Sequence, residues 1–109
     1  MKRTAQAVWS GALRDGKGSI SLQSGAFKEQ PYSFKMRFED ESGKSGTNPE
    51  ELIAAAHAGC FTMATSAALG KAGFTPDKLA TTASLTLEQV GGNFTITKID
   101  LEMTAKGPN

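Results

Sequence analysis

An α+β fold in the order βββ-α-ββ is expected from three observations. Segments of alternating apolar and polar residues flank both sides of one long stretch. That stretch, residues 52–70, carries no Asp, Glu, Lys or Arg. Gly-rich breakers separate the alternating segments. The first strand is expected over residues 4–10, where Val8 and Trp9 supply β-branched and aromatic character. Asp15-Gly16-Lys17-Gly18 reads as a turn, and residues 19–23 as a second strand with Ile20 and Leu22 on one face. After a loop over residues 24–31, residues 32–39 predict a third strand. Tyr32, Phe34, Met36 and Phe38 would share one face, and Ser33, Lys35 and Arg37 the other. Residues 40–46 are polar and Gly-containing, as in a loop.

The helix has a strong start. Asn48 is a good N-cap, Pro49 fits the first helical position, and Glu50 and Glu51 suit the positive end of the helix dipole. It is expected to run to about Ala72, with Gly73 as its C′ residue. Gly59 inside it costs about 1 kcal/mol relative to Ala, and a close backbone approach beside Cys60 would account for that cost. Residues 75–79 form a connector containing Pro76. Residues 83–90 predict a fourth strand, Gly91-Gly92-Asn93 a hairpin turn, and residues 94–105 a fifth strand. The apolar phase of the fifth strand runs through Phe94 and Ile96, then slips to Ile99, Leu101 and Met103, which predicts a bulge near Lys98.

The chain has 109 residues, a single domain's worth, with 12 Lys and Arg against 11 Asp and Glu, for a net charge of +1. No basic block stands out, so neither nucleic acid nor a membrane is an expected partner. No apolar leader opens the chain. Cys60 is the only cysteine, which excludes an intramolecular disulfide and fits the reducing cytoplasm. The uncharged stretch is long enough to raise the question of a membrane span, but Ala, Gly, Ser, Thr and His dominate it. A helix buried on most sides in protein is expected instead. So short a chain has little material to surround such a helix, and a second subunit is the natural source of the rest.

The Cys60 thiol has three readings: an inert packing residue, a reactive nucleophile, or half of a link to another chain. It lies twelve residues past the N-cap, beyond the reach of the helix dipole. Reactivity would therefore need a neighbouring cation or donor. His57, three residues earlier, is either a base or a packing residue. Metal binding needs three or four ligands, so neither a metal nor a cofactor is expected. Arg37 could bind a thiolate and a carboxylate with one guanidinium fork, or be an ordinary solvated arginine. Glu50 either stabilises the helix start or serves a site. Glu50 and Cys60 are ten residues apart, about 15 Å along a helix axis, so a site using both needs Glu50 from a second chain.

The segment GTNPEELIAAAHAGCFTMATSAALGKAGFTP, residues 46–76, closely resembles the OsmC/Ohr family of thiol-dependent hydroperoxide reductases, and its AAHAGCF wording resembles the OsmC branch. Agreement extends to AVWSG, GKGSISLQSG, QPYSFKMRFE and FTITKIDLEM, so the resemblance covers nearly the whole chain. It implies an OsmC-like fold in an intertwined homodimer, with each site at the subunit interface. It implies that Cys60 is the peroxidatic nucleophile, that Arg37 stabilises its thiolate, and that Glu50 from the partner subunit orients Arg37. Organic hydroperoxides would be the preferred substrates, hydrogen peroxide a poorer one, and Phe61 and Met63 plausible walls for an apolar substrate. The role would be oxidative and osmotic stress defence. The family pattern continues with a helix carrying a resolving cysteine and a last strand. These 109 residues contain neither, and they break off in what reads as a turn, Gly107-Pro108-Asn109. A continuation of the chain is the expectation. Without one, a dihydrolipoyl-type dithiol would have to reduce the oxidised thiol, and the alternative reading is an inactive fragment of the fold or a redox-sensing binding module.

Overall fold

The computed structural model describes residues 1–39, 42 and 44–107. The chain divides into two compact units, Met1–Pro49 and Glu50–Asn109.

The first unit is built on an antiparallel sheet. Strand β1 (Ala5–Ser10) pairs with β2 (Lys17–Leu22), and β2 with β3 (Gln30–Tyr32). Strand β2 begins inside the expected turn because Ser10 pairs with Lys17 and Trp9 with Gly18, extending the ladder. Gly18 also faces Tyr32 across the other ladder, so Trp9, Gly18 and Tyr32 form one row across the sheet. The two rings close over the glycine, with centroids 5.5 Å apart. A Cβ on Gly18 would lie 2.6 Å from both rings, so only glycine fits there.

The third strand is a correction. The strand expected over residues 32–39 ends at Tyr32, and Lys35–Glu39 is a π-helical turn. The reason lies in the partner strand. Strand β3 pairs with β2 only through Gly18, Ser19 and Ile20, and β2 starts at Lys17. The residues after Tyr32 find too little ladder to join, and their backbone groups must be satisfied locally. Ser33 supplies the start. Its hydroxyl accepts from the Met36 N–H at 3.2 Å, and its carbonyl accepts from the Arg37 N–H at 3.0 Å. Phe34 and Phe38, four residues apart, then stack at 5.0 Å between centroids. The expected loop over residues 40–46 and the expected terminal turn lie partly outside the described residues.

The second unit consists of helix α1 (Pro49–Lys71) and a hairpin of β4 (Lys78–Val90) and β5 (Asn93–Lys106). The helix stops as expected. Gly73 has φ +91°, the Phe74 N–H bonds the Leu69 carbonyl at 2.8 Å, and the Gly73 N–H bonds the Gly70 carbonyl at 3.1 Å. This pair of bonds is a Schellman cap. Strand β4 starts five residues earlier than expected, because Lys78 already pairs with Lys106 and the Asp77 N–H bonds the Lys106 carbonyl at 2.7 Å. The hairpin turns through Gly91 and Gly92, both with positive φ, in the two-residue form that matches strand twist. The phase slip is a bulge as anticipated. Leu87 pairs with Ile96 and Thr86 with Lys98, so Thr97 is the extra residue and Ile96 and Ile99 fall on one face.

Within the chain only one stripe of α1 is covered. Ala54, Ala58, Thr62, Thr65 and Leu69 are half-buried, at spacings of four and three. The hairpin face they share has Leu79, Thr81, Ala83, Leu85 and Leu87 half-buried. Among the described residues no hydrophobic side chain is buried. The accessible surface is 8264 Å², where a folded monomer of this mass exposes about 5,800 Å².

Candidate functional site

Helix α1 positions two of the three expected site residues. Glu50 sits in its first turn, where the helix dipole favours a carboxylate, and it is only 9% exposed. Cys60 is exposed. It lies on the side of α1 opposite the covered stripe, in a second row made of Ile53, Ala56, Cys60, Met63 and Ala67, all exposed. This row is apolar apart from the thiol itself. The helix is unbroken between Glu50 and Cys60, so the two stand about 15 Å apart along its axis.

Arg37 belongs to the first unit, on the π-helical turn rather than on a strand face. Its guanidinium carbon lies 4.6 Å from the centroid of the Phe38 ring, a cation–π contact that holds the side chain along the turn. The two readings of His57 remain as geometry allows. It is exposed on α1, one turn before Cys60. Phe61 and Met63, expected as apolar walls, are both exposed, Met63 at 77%.

The sequence gave no hint of the bond that ties α1 to the hairpin. The Thr62 hydroxyl lies 2.7 Å from the Ala58 carbonyl and 2.6 Å from the Thr81 hydroxyl. One hydroxyl has one proton, so Thr62 donates to the carbonyl and accepts from Thr81. A helix-interior Thr in an uncharged run carries no mark of such a partner. Beside this bond, Gly59, Thr62, Met63, Ser66 and Thr81 line an open hollow of about 610 Å³. The close approach expected at Gly59 is not made within the chain: a Cβ there would meet nothing within 4 Å.

The arrangement is thus a lone thiol on an open apolar helix face, with a buried carboxylate at the head of the same helix. Comparison with known proteins gives these features a context. The family model for OsmC-like proteins matches residues 41–109. Peroxiredoxin OsmC of Escherichia coli (strain K12) is 51% identical over 106 residues, spanning 97% of this chain and 72% of that protein. Peroxiredoxin OsmC of Shigella flexneri matches to the same extent. Among solved structures, an organic hydroperoxide resistance protein OsmC from Legionella pneumophila superposes with a TM-score of 0.70 at 22% identity, over 97% of this chain and 73% of that one. An organic hydroperoxide resistance protein from Elizabethkingia anophelis gives 0.68 at 22% identity, over 100% and 74%. At that identity the structures speak for the fold, and the fold they share is the mixed α+β arrangement described above. On the family match and the identity to its curated members, the chain belongs to the OsmC family.

Proposed function

We propose that this protein is a peroxidase that reduces organic hydroperoxides to alcohols in oxidative and osmotic stress defence, with hydrogen peroxide a poorer substrate. The observation that carries the reading is the single thiol, Cys60, exposed at the centre of the apolar face of α1, in a chain half identical to proteins named peroxiredoxin. The 109 residues are taken as one OsmC-like domain acting in the cytoplasm.

The chemistry assigned to Cys60 is thiol-dependent. Its thiolate attacks the terminal oxygen of the hydroperoxide, an S–O bond forms as the O–O bond breaks, and the alkoxide takes up a proton to leave as the alcohol. Cys60 is left as a sulfenic acid. Arg37 would hold the thiolate and stabilise the negative charge that develops on the leaving oxygen. Within these 109 residues there is no second cysteine, so the reductant proposed is a dithiol of the dihydrolipoyl type. Its first thiol condenses with the sulfenic acid, releasing water, and its second displaces the Cys60 thiolate to close a cyclic disulfide.

A homodimer is part of the proposal. The open face of α1 is apolar along its length, and the chain exposes roughly 2,500 Å² more than a monomer of its mass would, an amount obligate dimer interfaces cover. Glu50 of the partner subunit would then orient Arg37. The test is Cys60→Ser. It should abolish hydroperoxide reduction with added dithiol while sedimentation still reports a dimer. Retained activity would sink the assignment.

A further inference from the structure

We infer that the aromatic cup of Trp9, Tyr32 and Phe34 beside Arg37 receives the organic group of the hydroperoxide, and that it selects compact aryl or branched-alkyl groups over long acyl chains. This deepens the reading of Arg37 given above and rests on it.

The cup lies wholly within the first unit. It is a cavity of about 230 Å³, lined by Trp9, Leu13, Tyr32, Phe34, Arg37 and Phe38, together with Ser33. Five of these seven side chains are apolar or aromatic surfaces without charge, and Arg37 supplies the only ionic group. That is the composition of a small-ligand site: apolar walls and one oriented polar group. Size narrows the ligand. Sites for drug-sized molecules begin at about 300 Å³, whereas about 150 Å³ already admits benzene. A phenyl ring with a few added carbons fills the space between, and an extended acyl chain does not fit.

The walls are held in place before any ligand arrives. The Trp9 indole N–H donates to the Gly11 carbonyl at 3.2 Å. A Cβ on Gly16 would lie 2.7 Å from the indole nitrogen, and one on Gly18 would lie 2.6 Å from the Trp9 and Tyr32 rings. Two glycines thus leave room for Trp9 in this one position. Phe34 is fixed from another side, with the Arg14 guanidinium carbon 4.9 Å from its centroid and the Phe38 ring at 5.0 Å. Rings already ordered lose little freedom on binding, so more of the contact appears as affinity. An alkyl or aryl group seated among them leaves its peroxide oxygens toward Arg37, whose N–H groups are donors only.

The experiment uses the native chain. Trp9 is its only tryptophan, so its emission reports the cup directly. Titration with 2-phenylpropan-2-ol, the alcohol formed from cumene hydroperoxide, should change the emission saturably, and n-decanol should bind about tenfold more weakly. In steady state with dithiol, Trp9→Ala and Leu13→Asp should each lower the ratio of kcat/KM for cumene hydroperoxide over hydrogen peroxide by about tenfold, equivalent to about 1.4 kcal/mol. Leu13 is 65% exposed, so its substitution leaves the sheet intact if Trp9→Ala does not fold. An emission that does not saturate, or a ratio unchanged in Leu13→Asp, overturns the cup while hydroperoxide reduction by the native chain still supports the peroxidase. Saturation without any hydroperoxide reduction overturns the peroxidase reading and the substrate assignment with it.

Discussion

Glu50 and Cys60 stand on one unbroken helix, Glu50 in the first turn and Cys60 ten residues on, about 15 Å apart along the axis. No rotamer of a glutamate spans that distance. If both serve one centre, they do so from different chains, and this gives a complementation test. Glu50→Ala and Cys60→Ser should each be inactive alone. Mixed and allowed to exchange, half the dimers would pair the two variants, and each would hold one complete site. About a quarter of native activity should return, as expected for a two-fold symmetric pair. Recovery no greater than the sum of the separate variants would place Glu50 outside the site.

Arg37 offers a graded prediction, because charge and geometry can be separated. Arg37→Met removes both and should lower kcat/KM for cumene hydroperoxide by roughly 10²–10³-fold, the scale seen when an oriented donor is lost from a centre of developing negative charge. Arg37→Lys keeps the charge and loses the planar fork, so its rate should fall between Met and native. Equal rates for Lys and Arg would mean that the fork is idle and that Arg37 acts only as a diffuse charge.

The reach of the sequence was uneven, and the division is physical. The Asn48–Pro49 helix start, the Gly73 stop, the Gly91-Gly92 turn and the slip before Ile99 depend on a few adjacent residues, and each is where the sequence placed it. Residues 34–38 failed because one spacing serves two structures. Phe34, Met36 and Phe38 alternate as a strand would, yet Phe34 and Phe38 also sit one helical turn apart. The choice was made by how far β2 extends, which is a property of another segment. The candidate site divides in the same way. Cys60 on its uncharged helix was legible, and so was the need for a second chain to cover it. The Thr62–Thr81 bond and the Trp9–Gly18–Tyr32 row depend on strand register, and no local pattern announces them.

The Thr62–Thr81 pair should be worth measuring by a double-mutant cycle. Both residues are half-buried, so replacing either by Val removes a hydrogen bond without opening a cavity. Each single variant should lose about 1 kcal/mol in urea unfolding. The double variant should lose less than the sum, with a coupling of at least about 0.5 kcal/mol. Strict additivity would mean that the two hydroxyls turn to water in solution and that α1 is held to the hairpin by other contacts.

Two glycines on or beside α1 should respond with opposite signs. Gly73 has φ +91° at the Schellman cap, a conformation that costs an L-residue about 1 kcal/mol or more. Gly73→Ala should therefore destabilise the chain by about that amount, although a methyl there would touch nothing. Gly59 is in the helix interior, and its Cβ position is also empty. With no steric cost, Gly59→Ala should gain about 0.5–1 kcal/mol from helix propensity alone. Guanidinium unfolding at two protein concentrations reads both effects. A loss at Gly59 that grows with protein concentration would show that the second subunit packs its backbone against this glycine.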